Sequence, residues 1–400
     1  MNTTTTNPSA FQSRLKALDA YRGLVMLLMM AEVLELRKVS LAHPTSEVWH
    51  FLSSLQTHSS WVGCSLHDLI QPSFSFLVGV ALPFSTAKRL SLGHSKTSLL
   101  IHTLWRSIIL IILGVFLRSL GHPITNWTFE DTLTQIGLGY TFLFVLSLRP
   151  IRDQWIAFTV ILVGVWASFA FYTAPTELTS LHFISQPSFM DPHALTGFAS
   201  HWQRGSNPAA VFDQWFLNLF PRENVFIANR GGYTTLSFIP TLATMLLGLI
   251  AGNILRSSSS DKQKVRIFIY AGILGIISGL FFSWLGICPI VKRIWTPSWV
   301  LFSGGFCFLF LSLFYTTLDI RKSSRWALPL IVVGSNSMAA YLLAHLVENF
   351  ISTSLITHLG LKPFEIFGLT YEHLTLSMTT LALMWFILYC MYKKKLFLKI

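Results

Sequence analysis

A series of long apolar runs constrains this chain more than any other feature. A helix that crosses a hydrocarbon core of ~30 Å needs roughly 17–25 mostly apolar residues. Runs of that order stand at about 17–36, 69–87, 99–118, 131–148, 154–173, 235–255, 266–286, 298–318, 327–347 and 374–392. They predict an all-α, polytopic integral membrane protein with about ten transmembrane helices, the fourth the shortest. Composition agrees: 52% of the residues are hydrophobic and 12% charged, where soluble domains run near a quarter charged. Such a chain needs lipid as its solvent. The 14% aromatic content suits interfacial belts of Trp and Tyr.

The loops carry the orientation. Arg14, Lys16 and Arg22 flank the first run; Lys88, Arg89 and Lys96 follow the second. The series continues with Arg149 and Arg152, then Arg256, Lys262, Lys264 and Arg266, then Arg321, Lys322 and Arg325, and ends at Lys393, Lys394, Lys395 and Lys399. These clusters fall in alternate loops, so the positive-inside rule places them, and both termini, in the cytoplasm. Topology absorbs most of the net charge of +12; anionic lipid headgroups or an anionic ligand such as a nucleotide phosphate account for the rest. No basic patch interleaved with base-stacking aromatics is present, which argues against nucleic acid as a partner.

Residues 1–13 are polar and Thr-rich and read as a disordered cytoplasmic tail; 14–400 reads as one transmembrane domain. The first run lacks a small-residue cleavage site and is expected to stay as a signal anchor. The longest extracytoplasmic loop is 174–234, where Val211–Phe220 has the composition of an interfacial amphipathic helix. That loop reads as a lid or acceptor-binding segment, or equally as a simple interfacial cap. No CxxC pair occurs. Cys307 and Cys390 sit inside apolar runs; Cys64 and Cys288 both fall in outer segments and could pair.

Ionisable groups within or beside spans are costly, and each is a candidate for function. Asp19 and Arg22 share a helix face at i, i+3 spacing: either an interfacial ion pair or, through Arg22, a contact for an anionic ligand from the cytosol. Glu32 is deep enough to need a cationic partner or a hydrogen bond. In Thr57–Ser85, His58 precedes the second span and Asp68 starts it, where a helix dipole favours an acid. Histidine suits proton transfer near neutral pH, although a lone surface histidine has the same local signature. His67 beside Asp68 raises a metal site, but no third ligand follows at suitable spacing. Lys292, Arg293, Trp295 and Thr296 lie against the outer end of the eighth span, where topology needs no positive charge. Asn336, His345 and Glu348 lie on or beside the ninth, where interhelical hydrogen bonding, including a His345–Glu348 pair, is the simpler reading.

These residues fall in an order that resembles the heparan-alpha-glucosaminide N-acetyltransferase family of transmembrane acyltransferases. The motifs are RLKALDAYRGL, THSSWVGCSLHDLIQPSFSFLVGVALPFS, TLTQIGLGY, TLSFIPTLATMLLGLIAG, KRIWTPSWVLFSGG and LPLIVVGSNSMAAYLL. The resemblance implies transfer of an acetyl group from cytosolic acetyl-CoA to a sugar or glycan acceptor across the membrane, without a metal. It implies a catalytic histidine in H-x-x-W-x-G, here His58, Trp61 and Gly63. It leans toward a homodimer, and the absence of the animal enzymes' long outer domain favours a bacterial-type inner-membrane protein. Three departures stand out. The family's Asn near the end of the first span is replaced by Glu32; its LQRI reads Leu133-Thr134-Gln135-Ile136; and an acidic-glycine motif reads Arg230-Gly231-Gly232-Tyr233-Thr234.

Together these readings give an expected mechanism. Arg22 and neighbouring basic residues meet the CoA phosphates. His58 acts as general base, Asp68 or Glu32 orients it, and Asn336 or backbone N–H groups hold the oxyanion. Asp19, Trp61, Gln135, Lys292 and Trp295 are expected around the substrates. The rival readings are a proton-coupled transporter or flippase using Glu32 and His345, against which the missing inverted repeat counts, and a non-catalytic scaffold.

Overall fold

The computed structural model describes residues 15–173 and 195–398. The tail at 1–13, Arg14, Lys399 and the first third of the long loop lie outside the described residues. Helices dominate: α1 (Lys16–Met30), α2 (Leu36–Ala42), α3 (Glu47–Gln56), α4 (Ile70–Ser91), α5 (Lys96–Ser119), α6 (Thr132–Ser147), α7 (Ile151–Ala170) and α8 (Pro208–Leu217). They continue with α9 (Phe238–Arg256), α10 (Asp261–Trp284), α11 (Pro297–Phe314), α12 (Leu328–Ser335), α13 (Ser337–Leu342), α14 (Glu348–Leu359) and α15 (Glu372–Lys393). Eight helical stretches among the described residues are long and apolar enough to cross a membrane, and α6 is a shorter apolar helix beside them. This agrees with a polytopic all-α protein; of the ten expected spans, the first and fourth are not among the eight, α6 having 16 residues and α1 only 15. Helix α1 is shorter than its run because a 3₁₀ turn takes over at Ala31–Leu34 and Glu35 adopts a positive φ of 41°.

Local chemistry sets the helix starts. Ser95, Asp131, Ser260 and Thr296 each accept a hydrogen bond from a first-turn N–H of the helix that follows, satisfying donors that have no partner within the helix. Close backbone approach sets the packing. A Cβ on Gly79 of α4 would lie 1.9 Å from the carbonyl oxygen of Met245 on α9. One on Gly334 of α12 would lie 1.7 Å from that of Asp19 on α1. Small residues that let backbones touch are how helices associate where lipid removes the hydrophobic drive between them.

The ninth span differs from the expected 327–347. The helix breaks at Asn336 (φ −136°, ψ 48°) and resumes, so the stretch able to cross is Ser337–Leu359. Asn336 holds the break open: its Nδ2 donates to the carbonyl of Leu396 at 3.1 Å, and the Leu398 N–H donates to its Oδ1 at 3.0 Å. The polar stretch from Glu348 to Thr357 continues this helix and does not open a loop. Cys64 and Cys288 are not joined: all four cysteines are free, Cys288 is buried, and the Cys64 thiol donates to the Ser65 carbonyl at 3.1 Å.

The Val211–Phe220 segment forms helix α8, shifted to Pro208–Leu217 because Asn207 caps it and Pro208 fits its first turn. Asp213 on α8 is buried; one carboxylate oxygen accepts from the Thr235 N–H at 2.9 Å and the other has no partner among the described residues. Burial, set against that hydrogen bond, pushes its pKa up to about 7. The folded state therefore holds a proton that the unfolded chain releases near pH 4. Stability from this group is full below that pH and is lost as pH rises through about 7. The thermal midpoint is expected to fall by several degrees between about pH 4 and pH 7 and then level off. Asp213→Asn should remove most of that slope in melts across pH, the remainder belonging to Glu130, whose burial also raises its pKa.

Candidate active site

The segment between α3 and α4 is pinned from three sides. Val62 pairs with Val291 in an isolated antiparallel bridge, and the Gly63 N–H donates to Ile290 O at 3.0 Å. Arg293 donates to the carbonyls of Ser59, at 3.1 Å, and Gly231, at 2.6 Å. The Trp61 indole is buried and donates to Trp202 O at 3.1 Å. Gly232 (φ 78°) lies against that ring: a Cβ there would sit 2.5 Å from it.

Asp68 lies in the 3₁₀ turn that leads into α4, with its side chain 2% exposed. Its Oδ2 accepts from the N–H groups of Ser59 (3.1 Å) and Ser65 (3.0 Å) and from Ser65 Oγ (3.2 Å). Its Oδ1 faces His58 Nδ1 at 2.7 Å and Lys292 Nζ at 3.2 Å. A buried carboxylate is tolerated when paired and hydrogen-bonded, and this one is saturated. Lys292 Nζ also lies 3.3 Å from His58 Nδ1. An ammonium and an imidazole N–H are both donors, so the two converge on Asp68 Oδ1 as a shared acceptor. That assigns the proton to Nδ1 and leaves Nε2 of His58 with its lone pair free. The His58 side chain is 39% exposed, so the free nitrogen belongs to the accessible member of the pair.

A second imidazole–carboxylate pair stands beside the first. His67 Nε2 lies 2.6 Å from Glu32 Oε1, and the rings of His67 and His58 are 4.7 Å apart. Glu32 therefore serves His67, and Asp68 alone holds His58. A cavity of about 320 Å³ is lined by Glu32, His58, His67 and Lys292, with Gln71, Arg118, Glu130, Asp131, Tyr233, Tyr341 and His345. His345 spends Nδ1 on Tyr341 O at 2.9 Å and stacks on that ring; the expected His345–Glu348 pair is not seen among the described residues.

The other expected site residues lie elsewhere. Gln135 is buried and donates to the carbonyls of Phe129 (2.6 Å) and Thr235 (3.1 Å), tying α6 to the start of α9 without lining the cavity. Trp295 is buried and donates to Thr244 Oγ1 at 3.0 Å. Asp19 and Arg22 pair at 3.6 Å on α1, roughly 15–20 Å along the helix from Glu32 at 1.5 Å per residue. Asn336 commits its side-chain amide to Leu396 and Leu398 and is not among the residues lining the cavity. Gln71 and Tyr341 line the cavity but were not singled out in the sequence, and Tyr233 stood there only as part of an altered motif. Among the described residues, no group of three or more His, Cys, Asp or Glu is arranged to hold a metal.

No family profile matches the chain. It is 26% identical over 432 aligned positions to the heparan-alpha-glucosaminide N-acetyltransferase of Mus musculus, and 25% identical over 432 positions to that of Homo sapiens. These alignments cover 97% and 98% of the chain, which spans 61% of the length of each curated relative.

Proposed function

We propose that the chain, which is similar over almost all of its length to two heparan-alpha-glucosaminide N-acetyltransferases, is a multi-pass membrane acyltransferase of that family that moves an acetyl group from acetyl-CoA to a sugar or glycan acceptor. The observation that carries this reading is the His58–Asp68 pair, with its free Nε2 beside a polar cavity. An acceptor N–H or O–H attacks the thioester carbonyl, and His58 Nε2 takes the proton as the new bond forms. The tetrahedral intermediate collapses with cleavage of the carbon–sulfur bond, and the imidazolium returns that proton to the departing CoA thiolate. Asp68 fixes the tautomer and balances the transient imidazolium, the role of a third group behind a base. Lys292 keeps the buried carboxylate compensated when His58 is neutral.

The proposed sidedness rests on charge. The basic loops lie at the bundle end where Lys16 and Ala17 meet Asp319; His58 lies at the opposite end. With the positive end in the cytoplasm of a cell inner (plasma) membrane, acetyl-CoA enters there, with Arg22 and the basic loops as contacts for its phosphates. Its thioester reaches the far side between the helices.

The test uses the purified full-length chain, acetyl-CoA and a methyl glucosaminide, with CoA thiol release as readout. His58→Gln is expected to lower the rate by about 10²–10⁴-fold, the usual worth of a positioned base. Equal rates for wild type and variant would contradict the assignment.

A further inference from the structure

The two imidazole–carboxylate pairs are inverted with respect to exposure. In the first, the carboxylate is buried and the imidazole open: Asp68 is 2% exposed and His58 39%. In the second, the imidazole is buried and the carboxylate open: His67 is 6% exposed and Glu32 56%. Only the open member of a pair can touch a substrate. The first pair therefore presents a nitrogen lone pair, and the second presents a carboxylate oxygen.

Glu32 Oε1 is committed to His67 at 2.6 Å, while Oε2 has no partner among the described residues. The carboxylate does not swing freely, because the bond from a buried ring fixes one oxygen and so aims the other. The 3₁₀ turn at Ala31–Leu34 sets the backbone beneath it. Lys292, the cation nearest His58, is spent on Asp68, so it does not quench Glu32. The rings of His58 and His67 stand 4.7 Å apart, and Glu32, His58 and His67 line the same cavity, so the carboxylate and the base open onto one space.

We propose that Glu32, held by His67, is the acceptor-orienting group of this site: its free oxygen takes a hydrogen bond from a donor on the acceptor while His58 takes the proton from the attacking atom. This rests on the acyltransferase reading above. Glu32 is then a binding residue in direct contact with the acceptor, and His67 a positioning residue that acts through it. A charge-assisted bond to a carboxylate is among the stronger hydrogen bonds, and an acceptor that arrives as an ammonium gains an ion pair as well. The consequence is selective: the pair governs acceptor affinity and leaves the donor thioester untouched. His67 lies in the sequence next to Asp68, yet the two side chains hold different groups, Glu32 and His58.

The experiment is steady-state kinetics on the purified full-length chain, with acetyl-CoA and methyl α-D-glucosaminide as the probe acceptor. Glu32→Gln is expected to raise the acceptor KM about tenfold or more, with the acetyl-CoA KM and the acceptor-independent hydrolysis of acetyl-CoA within about twofold of wild type. His67→Phe should raise the acceptor KM similarly, and the double variant should be no worse than the worse single one, as for two residues acting as a unit. His67→Gln, which keeps a donor toward Glu32, should recover most of the loss and guards against a misfolded Phe variant. An unchanged acceptor KM in Glu32→Gln, or equal rises in both KM values, would overturn the proposal. Hydrolysis without transfer to this amine would overturn the acceptor role and leave the acyltransferase reading standing; a wild-type chain that turns over no acetyl-CoA would overturn both.

Discussion

With the function proposed above, replacing Asp68 with Asn is expected to lower acetyl transfer by about three to four orders of magnitude, the scale seen when a base is left in the wrong tautomer. The size follows from the hydrogen-bond inventory. Five donors converge on the two oxygens of Asp68: His58 Nδ1, Lys292 Nζ, the Ser59 and Ser65 N–H groups, and Ser65 Oγ. An amide supplies one acceptor oxygen and one donor NH₂. With the NH₂ toward His58, Nδ1 must accept, the ring proton moves to Nε2, and the base is lost. With the NH₂ toward Ser59 and Ser65, donors face donors and the loop that carries His58 is unclamped. Both orientations also leave Lys292 without its carboxylate. The kcat of Asp68→Asn with a methyl glucosaminide acceptor checks this, alongside a thermal melt; a rate within tenfold of wild type would show that His58 does not depend on Asp68.

The second large effect is structural. Gly79→Ala is expected to cost about 3 kcal/mol or more, the upper end for overpacking. The added methyl would meet Met245 O at 1.9 Å and the Leu249 nitrogen at 2.8 Å. Both are backbone atoms of α9, and no rotamer change can move them. Helices α4 and α9 must separate, and α4 carries the His67–Asp68 turn at its start, so activity should fall with stability. Gly164→Ala is the control: it also lies within a transmembrane helix, but nothing stands within 4 Å of its added methyl. Melting both variants in the same detergent separates the close contact from the mere loss of a glycine. Equal midpoints would mean that the α4–α9 approach is not as tight as described.

The spans were legible because lipid imposes one strong rule on composition, and lengths of this order leave few alternatives. The break at Asn336 was not, because the hydropathy of 327–347 runs on without a gap; what stops the helix is a side chain gripping Leu396 and Leu398, far along the chain. The site was half legible. His58 and Asp68 lie ten residues apart, within one motif, and an acid at a helix start has a local reason to be there. The link from Glu32 to His67 and the link from Lys292 to Asp68 are products of packing, and no local pattern announces them. Lys292 left one trace, a positive charge where topology asks for none. Proximity in sequence said little about His67: it stands beside Asp68, where a metal site lacked a third ligand, and its ring turns to the Glu32 carboxylate on another segment. Gln135 and Trp295 read as ligands because polar and aromatic groups near a span usually have a task; their task here is to satisfy buried carbonyls and a threonine hydroxyl.

Acetyl transfer itself is the most direct measurement. The purified full-length chain, reconstituted in lipid, is given acetyl-CoA labelled in the acetyl group together with a methyl glucosaminide, and the sugar is recovered and weighed by mass spectrometry. Labelled acetyl on the sugar is expected from the wild-type chain, with a loss of about 10²-fold or more in His58→Gln. Labelled sugar formed equally by both proteins, or none formed by either while acetyl-CoA stays intact, would contradict it.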